Sequence, residues 1–328
     1  MRSEERRARP VPRRASPRTR AAAAVTRVGL GSVTERIGTG RRGVRASRRM
    51  IAALMAAGGR MPRGTTVTPV RDGAVIGEWV CAPGVDRSGP QAVYFLHGSG
   101  YVLCSPATHR SFVARLSQVT GLPCFVVDYR LAPENRFPAA SDDVVAGWRW
   151  LIDSGYAPSD LVVAGDSAGG HLTAALVLNL AADGEPGPAA AVMFSPVVDV
   201  TFGLAARQER RRRDPLITAA AARELLDLYT RDAAPDDRWI ELDYRGAAAA
   251  PPMLIQAGGA EMLSADARHL ATRVVAAGGR ADLEIWPGQM HVFQALPRLG
   301  PEADAALLRV RDFLRKTTST PRLQGDIR

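Results

Sequence analysis

Ser167 stands in the stretch Val162-Val163-Ala164-Gly165-Asp166-Ser167-Ala168-Gly169-Gly170-His171, between glycines at the spacing G-x-S-x-G. A serine hydroxyl becomes a useful nucleophile only when a neighbouring base takes its proton. Leu161–Ala164 reads as a buried strand, and the apolar positions from Leu172 to Leu180 recur at helical spacing. The serine therefore sits where a strand turns abruptly into a helix. Such a turn strains the residue at its apex and admits only minimal neighbours, a role that Gly165 and Gly169 fit. Free N–H groups at the helix start favour a developing anion beside the hydroxyl. An activated nucleophile has this form. A plain Gly/Ser turn between buried elements is the other reading of the same residues.

An anion needs donors and a nucleophile needs a base. The apolar strand Gln91–Leu96 runs into His97-Gly98-Ser99-Gly100-Tyr101, about 70 residues before the serine. Small residues after a strand let backbone N–H groups converge on one point, and the N–H of Ala168 adds to them. Five histidines are available as bases: His97, His109, His171, His269 and His291. His97 reads as a residue that pins the glycine turn, together with Gly98. His171, on the helix after the serine, reads as packed or capping, and His109 and His269 read as exposed on helices with charged neighbours. His291 differs, because PGQMHVF places it on a loop after the strand Ala281–Trp286 and before the last helix. A base reaching back to a strand-to-helix serine belongs there.

These residues need a scaffold of buried strands. Thr65–Val70 and Val75–Ala82 alternate as a hairpin around Arg71-Asp72-Gly73. Further strands are expected at Gln91–Leu96, Cys124–Asp128, Leu161–Ala164, Ala190–Phe194, Met253–Gln256 and Ala281–Trp286. Helices are expected at Val44–Ala57, Ser111–Val119, Asp142–Leu151, Leu172–Leu180, Thr218–Tyr229, Ser264–Ala277 and Glu302–Arg315. Strands alternating with helices make a mostly parallel sheet covered on both faces. The long insertion at residues 200–247 reads as a cap, joined by the amphipathic segment 44–60 with its Arg-rich outer face.

The motifs HGSGYVLCSP, DYRLAPENRFPAA, GDSAGGH and WPGQMHVF, in this order and with a cap-sized insertion, resemble the hormone-sensitive-lipase-like branch of the α/β-hydrolases. The similarity runs from about Thr65 to Phe313. It implies a serine carboxylesterase that takes short to medium acyl chains, with Ser167 as nucleophile and His291 as base. The family's glycine turn usually reads HGGG and lends the N–H groups of its second and third glycines to the oxyanion hole. Those positions here are Ser99 and Gly100, with Ala168 as the further donor. The family's aspartate position, after the strand MLIQAG, is Ala260. The acid is then Glu261, which follows directly, with Asp266 as its rival near the start of the next helix. Asp128 and Arg130 read as a loop-organising ion pair, and Asp166 as a supporting residue. A non-catalytic ligand-binding protein on the same fold is the alternative reading.

Composition limits the remaining choices. Residues 1–63 hold 17 Arg, no Lys and 3 Glu, a net of +14, so the remaining residues carry about −4 of the chain's +10. The body is mildly acidic and the basic balance lies in the leader, residues 1–43, which reads as disordered. Nucleic acid is not an expected partner, and membrane contact through the leader is not favoured. Three cysteines without metal spacing point to a reducing, cytoplasmic setting without a disulfide framework. Neither metal-ligand spacing nor a phosphate-binding Gly-Lys motif occurs, so no metal or cofactor is expected. The partner expected is a small-molecule ester.

Overall fold

The computed structural model describes residues 10–29, 40–98 and 100–318. Eight strands form one sheet in the order β1-β2-β4-β3-β5-β6-β7-β8. They are β1 (Thr66–Asp72), β2 (Val75–Cys81), β3 (Ala92–Leu96), β4 (Cys124–Val127), β5 (Leu161–Asp166), β6 (Ala190–Phe194), β7 (Met253–Gly258) and β8 (Ala281–Trp286). β2 runs antiparallel to β1 and β4, and every other neighbouring pair is parallel. Helices are α1 (Pro17–Gly29), α2 (Arg41–Gly58), α3 (Pro106–Thr120), α4 (Ala139–Asp153), α5 (Ala168–Ala182), α6 (Gly203–Arg211), α7 (Ala219–Thr230), α8 (Ser264–Ala276) and α9 (Glu302–Thr317).

The inner strands β3, β4 and β6 are apolar end to end because helices cover both faces. In β3, Ala92, Tyr94 and Leu96 join the core that contains α4 and α5 residues such as Trp148 and Leu176. Val93 and Phe95 point the other way, into a core with Phe112 of α3 and Val310 of α9. Each fully buried side chain of this size contributes roughly 1.5–3 kcal/mol against exposure. This double cover holds the carboxyl ends of β3, β5, β7 and β8 together on one edge, where loops carrying polar side chains emerge.

Three expectations are corrected. The leader is not wholly disordered: residues 17–29 are helical, and the segment before them is docked. Ser16 N donates to Glu302 Oε1 at 2.8 Å, Thr19 Oγ1 donates to Glu302 Oε2 at 2.8 Å, and Gln289 Nε2 donates to Thr19 Oγ1 at 3.0 Å. Its anchorage is polar, which is why hydrophobic periodicity did not reveal it; residues 1–9 and 30–39 lie outside the described residues. The cap holds a second helix besides the one expected at Thr218–Tyr229: α6, whose polar, arginine-rich end concealed it. Arg130 pairs with Asp143 at 2.8 Å, not with Asp128. The partner comes from α4, which a reading confined to the loop does not reach.

Candidate active site

At the end of β5 the chain reverses into α5 through Ser167, whose φ of 53° and ψ of −118° are unfavourable for a side-chain-bearing residue. Close packing explains the glycines. A Cβ at Gly165 would lie 2.3 Å from the Gly169 carbonyl oxygen, and one at Gly169 would lie 2.0 Å from the Leu96 carbonyl oxygen. The apex is held by backbone bonds from Ser167 N to Phe194 O at 2.9 Å and from Val197 N to Ser167 O at 3.0 Å. Ala168 opens α5, so its N–H has no acceptor within the helix.

His291 comes off β8 on a loop whose next residue, Val292, has φ 48°. Its Nε2 lies 3.0 Å from Ser167 Oγ, and its Nδ1 lies 2.6 Å from Glu261 Oε2. Glu261 is buried at the end of β7, where its Oε1 accepts from Gly258 N at 2.5 Å and from Ser195 Oγ at 2.8 Å. Burial by itself lowers the His291 pKa, but the hydrogen bond and charge of Glu261, with Asp214 and Asp166 nearby, outweigh it and leave the ring above its ordinary value. Asp266 does not reach His291. It lies in the first turn of α8, as expected, but fully buried, and its Oδ1 accepts from Val198 N and Asp199 N at 2.9 Å each. Burial pushes its carboxyl up to about 7. It holds the chain after β6.

Ser99 lies outside the described residues. On either side of it, Gly98 N donates to Asp166 Oδ1 at 3.1 Å, and Gly100 adopts φ 64° at the wall of the serine's cavity. A Cβ at Gly98 would meet Asp166 Oδ2 at 2.3 Å, so the supporting carboxylate and the glycine require each other. His97 stacks on Tyr129 at 4.2 Å, and burial, with His109 beside it, lowers its pKa to about 3. It stays neutral and structural. His171 is lowered to about 4 by burial and lies 2.7 Å from the Tyr101 hydroxyl.

His109 is corrected from exposed to buried. Its Nε2 lies 3.3 Å from Asp166 Oδ1, because the helical period turns it inward with Phe112 and Val113, whatever the charge of its neighbours. His269 is half-buried. Two polar residues of the site were not legible as such. Ser195, with φ 50° at the end of β6, donates to Glu261 and accepts from Val292 N at 3.0 Å, joining the acid to the histidine loop. Asp214, buried in the cap, accepts from Met262 N at 2.8 Å, the residue after Glu261. Only the strained conformation and the apolar strand before it mark Ser195, and neither is visible as chemistry in a single sequence.

Ser195→Ala is expected to lower kcat by about 10- to 100-fold with KM little changed, by analogy with the loss of a hydrogen-bond partner that orients a metal-ligating side chain. Steady-state kinetics with a soluble ester check this, and Ser195→Thr should retain more activity than Ala. A variant with wild-type kcat would leave Ser195 a purely structural residue.

The site opens on a cavity of about 210 Å³ beside Ser167 and His291. Its walls are largely aliphatic: Ile51 and Leu54 from α2, Leu216 and Leu225 from the cap, and Met262 and Val292 from the loops. Among the described residues, no Arg or Lys lines it. Among the described residues, no group of three or more His, Cys, Asp or Glu side chains is placed to hold a metal ion. No helix among them is long and apolar enough to cross a membrane.

The parallel sheet, the strained serine after β5 and the histidine after β8 define an α/β-hydrolase, and the family described as alpha/beta hydrolase fold matches residues 93–295. Within it, the chain belongs to the hormone-sensitive-lipase-like branch. It is 36% identical over 275 residues to the carboxylesterase/phospholipase LipF of Mycobacterium tuberculosis, covering 79% of this chain and 72% of that protein. It is 34% identical to an acetyl-hydrolase of Streptomyces hygroscopicus, over 79% and 84% of the two chains. The crystal structure of an esterase from the bacterial hormone-sensitive lipase family superposes with a TM-score of 0.81 at 34% identity, covering 93% of this chain and 99% of that one.

Proposed function

We propose that this chain, a carboxylic ester hydrolase by family, is a serine carboxylesterase that cleaves short- to medium-chain esters through an acyl-enzyme. Ser167 Oγ attacks the ester carbonyl carbon while His291 Nε2 takes its proton. The same imidazolium then protonates the departing alkoxide, and the alcohol leaves with the acyl group bound to Oγ. Water, deprotonated by His291, attacks the acyl carbonyl; the acyl–Oγ bond breaks, His291 returns the proton to Ser167 Oγ, and the carboxylic acid leaves. Glu261 keeps the Nδ1–H tautomer and stabilises the imidazolium, and backbone N–H groups of Ser99, Gly100 and Ala168 receive the oxyanion. The observation that carries this reading is the continuous chain from Ser167 through His291 to Glu261, at 3.0 and 2.6 Å, beside an aliphatic cavity. The free thiols of Cys81 and Cys124 support a reducing site of action, the cytoplasm.

Turnover of p-nitrophenyl esters, with labelling of Ser167 by an organophosphonate, is the test. Absence of both would leave only a ligand-binding homologue. In an acyl-length series the rate is expected to peak among short to medium chains, because the cavity is small for a ligand pocket. A rate that keeps rising beyond about ten carbons would contradict that.

The pH profile follows from His291. The base must be neutral to accept the serine proton, so activity rises with pH through the free enzyme's histidine pKa. That pKa is raised, so the acid limb of kcat/KM is expected to have its midpoint above 6.5. A midpoint at or below that value would show that Glu261 does not hold the ring charged in the free enzyme.

A further inference from the structure

We propose that the outer face of the cap is a docking surface for anionic lipid. Five arginines and no acidic residue lie on α2. Arg48 pairs with Glu134 at 2.8 Å, while Arg41, Arg42, Arg45 and Arg49 are exposed and form no ion pair among the described residues. At 3.6 residues per turn these four fall within about 100° of the helix circumference. The opposite face, with Met50, Ile51 and Leu54, lines the cavity above Ser167. A second basic run, Arg210–Arg213, is exposed at the end of α6 and leads directly into Asp214 and Leu216, which line the same cavity.

Positive charge is thus concentrated on the two elements that roof the cavity, on a body that is net acidic from residue 64 onward. Such a molecule orients in the field of an anionic surface with its roof toward the surface. Each arginine close to an anionic bilayer raises partition about fivefold, so the four on α2 together contribute on the order of several hundredfold. Neither α2 nor residues 203–213 carry an aromatic side chain on which nucleic-acid bases could stack. Beneath the roof lies an aliphatic cavity of the kind that receives acyl chains. The occupant these features fit is a lipid surface. The inference goes beyond the proposed esterase reading, and measuring it in Ser167→Ala protein lets each fail separately.

The experiment is cosedimentation of the full-length Ser167→Ala protein with vesicles of phosphatidylcholine alone or mixed with phosphatidylglycerol. Binding is expected only to the mixed vesicles and should fall steeply between about 0.05 and 0.5 M salt, as the screening length shortens. Replacing Arg41, Arg42, Arg45 and Arg49 by Gln should weaken binding by a factor of a hundred or more. Replacing the exposed body residues Arg71, Arg149, Arg268 and Arg280 by Gln should change it far less. In the Ser167 background the α2 variant should keep wild-type turnover of a soluble ester, which verifies its fold. Equal loss in the two charge-matched variants would reduce the effect to net charge and overturn the proposal. So would undiminished binding of the α2 variant, which would place the contact in the leader, or tighter binding to duplex DNA than to the mixed vesicles.

Discussion

Ser167→Ala is expected to lower kcat for a soluble ester by about 10⁶-fold, the scale seen when a serine nucleophile is removed from a comparable triad. Its Oγ lies within hydrogen-bond reach of His291 Nε2, at 3.0 Å, on a residue with a strained φ of 53° beside the cavity. Donor groups that remain can still polarise a bound carbonyl, so a residual rate above the uncatalysed one is expected. Alanine keeps the Cβ and removes only the hydroxyl, and the backbone bonds that hold the apex are unaffected. The melting temperature should therefore stay within a few degrees of wild type. Stopped-assay kinetics over long incubations and a thermal melt check both halves. Retained turnover would mean that another nucleophile does the chemistry.

Glu261→Gln is expected to cost about 10⁴ in kcat, because the amide cannot stabilise the imidazolium and favours the wrong tautomer. Glu261→Asp should recover part of the loss if the shorter side chain still meets Nδ1. Asp266→Asn is the contrasting variant, and turnover should survive largely intact because its Oδ1 bonds go to Val198 N and Asp199 N. Its signature lies in stability. The Asp266 carboxyl is raised from 3.8 to about 7, so the folded protein binds a proton more tightly than the unfolded chain does. The contribution is fully present below 3.8 and is lost as pH rises through about 7. Asn cannot ionise, so Asp266→Asn should flatten the fall in melting temperature across that window. If Asp266→Asn abolished turnover and Glu261→Gln did not, the acid assignment would be reversed.

The neighbourhood of Glu261 marks how far a linear reading reaches. Position after β7 and the family resemblance narrowed the acid to Glu261 or Asp266, since the loop leaving a core strand points at the same edge as the serine. What holds its carboxylate was not legible. Ser195, whose Oγ donates to it, lies 66 residues away in the chain, and Asp214, which accepts from the next residue's Met262 N, belongs to the cap; both arrive through tertiary packing. His109 failed for the opposite reason. Its charged neighbours suggested exposure, but helix α3 rotates it onto the buried Asp166, and a polar pair inside a core leaves no hydrophobic signature.

By itself the sequence determined the strands, because an apolar run covered on both faces admits little else, and it determined the elbow, because only glycine tolerates backbone oxygens at 2.0–2.3 Å from its Cβ position. Those constraints are local, and so they are written in consecutive residues. Tertiary structure alone decided which carboxylate meets His291, since Glu261 and Asp266 differ by five positions and both are buried. Gly258 N and Ser195 Oγ turn Glu261 toward the imidazole, while Val198 N and Asp199 N capture Asp266. It also decided that Ser16 and Thr19 close on Glu302 across more than 280 residues. Hydrogen bonds between distant segments depend on where the sheet brings their ends, and composition carries no record of that distance.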